Sequence, residues 1–153
     1  MSGVTSKIPV SSLVIFGVVF AAILALILLT HGSVVALGPR WIVTGVWIAA
    51  TVGLGIRDLV MGNANDLDST PIDRWTAIHA TAGLVFGLWY VPLVAVLAIT
   101  IGWEVFEALA PGFGDKEVFL NRVMDIVSAV VVWFVTVGVI ILVNHTSFPL
   151  LHG

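Results

Sequence analysis

Glu104 and Glu107 end a long apolar run, in Ile101-Gly-Trp-Glu-Val-Phe-Glu107. They stand three residues apart, so on a helix both carboxylates share one face. Asn121, Asp125 and Ser128 open the next apolar run at i, i+4 and i+7, again one helix face, with Arg122 beside them. His79 sits in the preceding run on a stripe with Gly83 and Gly87, downstream of Asp73. Imidazole and carboxylates in one volume suit zinc, manganese or iron ligation, a proton or ion relay, or general acid–base catalysis on a lipid headgroup. They suit equally a structural cluster in which Arg122 or Arg57 neutralises Glu104, Glu107 and Asp125 and fixes helix register. The structural reading is favoured, because polar groups near a membrane surface are easily solvated.

The alternatives meet specific objections. Carboxylate-bridged metal bundles supply Glu-x-x-His twice, whereas this chain has one Glu-x-x-Glu and a lone His79, so no metal is assigned. His31 and His79 are conceivable axial ligands to a haem or chlorophyll-type pigment, but His31 falls in a loop and no cofactor is assigned. No hydroxyl-nucleophile motif or phosphate-binding arginine set is recognisable, which leans against an enzyme.

These groups must be positioned by membrane helices. The chain is 59% hydrophobic and only 10% charged, with a mean hydropathy of +1.15, where a soluble domain carries about 25% charged residues. One integral membrane domain over residues 1–153 is expected. A net charge of −3 without a basic cluster argues against nucleic acid. The lack of cysteine excludes disulfides and thiolate chemistry. The first apolar run is longer than a signal-peptide core and no clear A-x-A site follows, so a permanent span is expected.

Apolar runs place spans at about 11–29, 41–59, 71–90, 92–109 and 120–143. Gly17, Ala21 and Ala25 on the first, Gly45, Ala49 and Gly53 on the second, and Gly83 and Gly87 on the third form small-residue stripes that admit close helix packing. Gly38-Pro39 breaks the chain before the second span. Arg57-Asp58 reads as a snorkelling interfacial ion pair. The linker 62–69 is rich in Asn and Asp, but counting from Asp66 puts Pro71 and Ala77 where a calcium loop needs glycine and glutamate. It reads instead as the approach to a helix, with Thr70 as N-cap, Pro71 as first helical residue and Asp73 completing a capping-box-like pattern. A single helix over 71–109 would be almost twice the bilayer core, so a hairpin is expected at Trp89-Tyr90-Val91-Pro92. Asp115 is the expected cap of the last helix. Trp41, Trp75 and Trp89 fall at span ends as an interfacial belt, while Trp103 and Trp133 are deeper packing residues.

Loop charge sets the topology. With five spans Lys7, Arg57, Arg74, Lys116 and Arg122 share one side and Arg40 alone the other; with four the same residues split evenly. Positive charge concentrates on the cytoplasmic side, so five spans with a cytoplasmic N-terminus and an outside C-terminus are expected, four being the fallback.

Asp73-Arg-Trp…His79…Gly83, then Trp103-Glu-x-x-Glu107, then Asn121-x-x-x-Asp125 resembles the VanZ-like group of small polytopic membrane proteins and allied uncharacterised families. The resemblance covers about residues 71–133. It implies that Asp73, His79, Glu104, Glu107, Asn121 and Asp125 are the matching positions, in a bacterial inner-membrane protein acting on or sensing lipid or envelope components. The alternative expectation is a non-catalytic accessory subunit of a larger membrane assembly, respiratory or photosynthetic, docked through the small-residue faces.

Overall fold

The computed structural model describes residues 10–30, 34–61, 70–110 and 118–150. Lys7, His31, the 62–69 linker, Asp115, Lys116 and His152 lie outside them. The described residues form an all-α bundle of five helices: α1 (Val10–Thr30), α2 (Leu37–Met61), α3 (Arg74–Leu88), α4 (Leu93–Leu109) and α5 (Phe119–Asn144). Three stretches, Val10–Leu29, Leu37–Asp58 and Phe119–Asn144, are long and apolar enough to cross a membrane. The 15 residues of α3 and 17 of α4 fall short of the ~20 usually needed.

Three helix starts differ from the sequence expectation; α5 begins at Phe119, with Val118 rather than Asp115 at its N-cap position and no side-chain cap bond. α2 begins at Leu37, not Trp41, and takes Gly38 and Pro39 into its first turn. Proline is tolerated there because first-turn N–H groups have no partner within the helix. α3 begins at Arg74, with Asp73 rather than Thr70 as its cap. Asp73 Oδ1 accepts from the Trp75 and Thr76 amides at 2.7 and 3.0 Å, and its own amide donates to Thr76 Oγ1 at 3.2 Å. The Thr70 hydroxyl is donated to the Ile72 carbonyl in a local turn, and aspartate is the better cap.

The expected hairpin is present. Tyr90 adopts φ 56°, while the Tyr90 and Val91 amides bond back to Gly87 and Phe86 at 2.9 Å each, a Schellman ending with tyrosine where glycine is usual. The Tyr90 hydroxyl offsets the strain by bonding Thr146 Oγ1 and the Ser147 carbonyl. The tail then caps α4: the Leu93 and Val94 amides donate to the Pro149 and Leu150 carbonyls at 2.9 and 3.4 Å. Trp133 Nε1 donates to the Val91 carbonyl at 3.0 Å. The hairpin is thereby fixed to the far end of α5.

α3 runs parallel to α5 and packs on it most closely. A Cβ on Gly83 would overlap the backbone carbonyl of Ala129, and one on Gly87 would come within 2.6 Å of Thr136 Cβ. These two glycines do the close packing expected of them. Gly17, Gly45 and Gly53 have nothing within 4 Å of a built Cβ among the described residues, and Ala21, Ala25 and Ala49 are exposed. Both stripes on α1 and α2 therefore face outward.

Trp89 is not an interfacial residue. It is 2% exposed, donates to Thr44 Oγ1 at 2.9 Å, and carries the Arg40 guanidinium 5.0 Å from its ring. The hairpin turns its ring into the core, against the start of α2. Trp133 is fully buried, as its depth suggested, whereas Trp41 is half exposed.

Candidate functional site

At the opposite end of the bundle the ends of α2 and α4 meet the starts of α3 and α5. The capping box aims the first turn of α3 so that Arg74 Nη2 reaches Asp58 Oδ1 at 2.7 Å and Trp75 Nε1 donates to Asp58 Oδ2 at 3.2 Å. Arg57 Nη1 is farther, at 3.6 Å, and half exposed. Asp58 is buried, so Arg57-Asp58 is not chiefly a snorkelling pair: its carboxylate ties α2 to α3. The chain-neighbour arginine stands out in the sequence, but the fold supplies a better one.

One turn beyond Trp75, His79 enters the space between α4 and α5. Its Nε2 lies 3.6 Å from Asp125 Oδ2 and 3.9 Å from Glu104 Oε1, both longer than a direct hydrogen bond of about 2.7–3.2 Å. One ligating atom each from His79, Glu104 and Glu107 lies within 4.8 Å of the others. Glu104 and Asp125 are 6% and 1% exposed, and Glu107 is half-buried. Three successive helices do bring acids and an imidazole together. Separations too long for direct bonds and too short for independence suit groups that share a proton, a water or an ion.

Other expected members act beside this group. Asn121 is buried and donates to the Thr70 carbonyl at 3.0 Å, clasping the approach to α3. Ser128 Oγ donates to the Asp125 carbonyl at 2.9 Å and lies 3.3 Å from the Thr76 carbonyl, on the α3–α5 seam. Asp73 caps α3, and Arg122 is half-buried on α5. Arg57 is paired with Asp58 and not with the acids it was expected to neutralise.

No protein-family model, curated protein or solved structure matches this chain.

Against the same histidine lies a cavity of about 40 Å³ between α1, α2, α3 and α4, walled by Phe20, Trp47, Trp75, Phe86 and Trp103 with His79 at its edge. A water needs about 10–15 Å³ by this measure, so the space admits a few water-sized groups. Two of its walls, Trp47 and Trp103, have buried indole N–H groups with no hydrogen-bond partner among the described residues. Phe16 packs on Trp103 and Phe20 on Trp47, with ring centroids 5.4 and 5.3 Å apart, so α1 closes this side. Sequence reasoning missed the cavity because its lining comes from four helices and no two of its residues form a motif.

Proposed function

We propose that this chain is a five-span membrane protein of VanZ-like type whose polar site acts on or senses a lipid or lipid-linked envelope component. The observation that carries this reading is the position of His79, shared by the acidic group and the aromatic cavity. An amphipathic molecule needs such a junction, with apolar walls for the few carbons next to its head and charged or hydrogen-bonding groups for the head itself. The indole N–H groups of Trp47 and Trp103 suit acceptor oxygens such as ester carbonyls, since a buried donor without a partner costs about 1–3 kcal/mol.

Five spans are supported by the tail contacts. The hairpin between α3 and α4 bonds to residues following α5, so the short pair reaches as far as the long helix beside it. The outward faces are apolar: α5 alone exposes Val131, Val135, Val139 and Leu142, which in water would be an interaction surface and in a bilayer faces lipid. The positive-inside rule applied to Arg57, Arg74 and Arg122 favours the cytoplasmic side for the polar site.

The test is photolabelling. Purified protein in vesicles containing a diacyl lipid with a photoreactive chain is irradiated, and the labelled peptides are identified. Labelling concentrated on α1, α3 and α4 around the cavity, and reduced in a Trp47→Phe, Trp103→Phe double variant, supports the reading. Labelling spread over all outward faces and indifferent to that variant sinks it.

A second reading, a non-catalytic accessory subunit of a larger membrane assembly, is favoured by the outward stripes on α1 and α2. Such stripes serve close helix–helix approach. Extraction in mild detergent as part of a large particle of fixed stoichiometry would favour it.

A further inference from the structure

We infer that His79, Glu104 and Glu107 form a binding site for one divalent transition-metal ion of the zinc or manganese type, with Asp125 placed to hold a water on it. Each residue contributes one ligating atom, and the three atoms lie within 4.8 Å of one another. Two ligands on one tetrahedral zinc stand about 3.4 Å apart, for bonds of about 2.1 Å. Closing the difference takes movement of about an ångström, within reach of the flexible side chains of Glu104 and Glu107.

The histidine gives the independent observation. His79 is 8% exposed, yet both oxygens facing its Nε2 stand at 3.6 and 3.9 Å, beyond hydrogen-bond length. The 3.9 Å to Glu104 is close to the spacing of two ligands on one ion. The donor set is chemically coherent, because an imidazole with two carboxylates suits zinc, manganese or iron(II) and disfavours soft ions such as copper(I).

The surroundings fit a working site more than a purely structural one. Structural zinc is closed by four protein ligands, whereas three protein ligands leave a position for water or substrate. Asp125 Oδ2, 3.6 Å from the imidazole nitrogen, is within reach of a water in that position. The half-buried Glu107 marks the way in from the bundle end.

This inference rests on reading the group as a working site, and the experiment separates the two. The full chain is purified in detergent, stripped with a chelator, dialysed against Zn²⁺ or Mn²⁺, and its metal content measured by mass spectrometry. About one ion per chain is expected, as for any single site. Glu107→Gln and Glu104→Gln should each abolish stoichiometric uptake, and Asp125→Asn should weaken it by about tenfold or more. Helix content by circular dichroism and elution volume should not change. Glu107 is at the rim, so its amide variant remains decisive even if Glu104→Gln folds poorly. Substoichiometric metal in the parent chain, or unchanged uptake in Glu107→Gln, overturns the site. Lipid labelling of the cavity in a chain that takes up no ion overturns the metal and leaves the lipid reading standing. Stoichiometric zinc without lipid labelling supports the metal and removes that reading.

Discussion

His79 on α3 and Asp125 on α5 face each other at 3.6 Å, the histidine at one end of a seam that Gly83 and Gly87 close against α5. The closeness of that seam is what brings a histidine and an aspartate 46 positions apart in the chain into one site, and it can be tested at the glycines.

Gly83→Ala is expected to push α3 off α5, because the added methyl meets the Ala129 backbone, which cannot turn away as a side chain could. Overpacking of this kind costs about 1–3 kcal/mol, read as a lower midpoint of thermal unfolding in detergent. Gly17→Ala has open space, and the parent midpoint should be kept or slightly raised, alanine being the better helix former by about 1 kcal/mol.

Asp58→Asn removes the carboxylate that holds Arg74 and Trp75, leaving a mostly buried guanidinium without its ion pair. Breaking a buried pair costs about 3–5 kcal/mol, and partial exposure of Arg74 places this one at the lower end. Arg57→Ala, by contrast, should change stability by less than about 1 kcal/mol because that side chain is half exposed. Denaturant titration of both variants checks the contrast.

Asp73→Ala should destabilise by about 1 kcal/mol through loss of the α3 cap, while Thr70→Ala should stay within about 0.5 kcal/mol. Equal effects at the two positions would contradict the helix start at Arg74.

Tyr90→Phe deletes the bonds to Thr146 and Ser147 that hold the tail against the hairpin. A loss of about 1–2 kcal/mol is expected. The local signature is faster hydrogen exchange at the Leu93 and Val94 amides, which the tail carbonyls otherwise accept from. Unchanged exchange there would mean that the tail is held by other contacts.

The sequence by itself determined the all-α class, the number of helices and the hairpin. Those follow from apolar run length and from the aromatic-proline turn at 89–92, which are properties of consecutive residues. It also picked out His79, Glu104, Glu107 and Asp125, because polar groups are conspicuous on apolar stripes. The fold alone decided what lies opposite what. It moved the α3 cap from Thr70 to Asp73, took Asp58 from Arg57 to Arg74, and buried Trp89 under Arg40. Only the fold separated the stripe that packs, Gly83 and Gly87, from those on α1 and α2 that face outward. Small-residue spacing is the same in all three helices. Rotation of a helix about its axis, which decides whether such a face meets a neighbour or points outward, depends on every other helix at once and is written in no single segment.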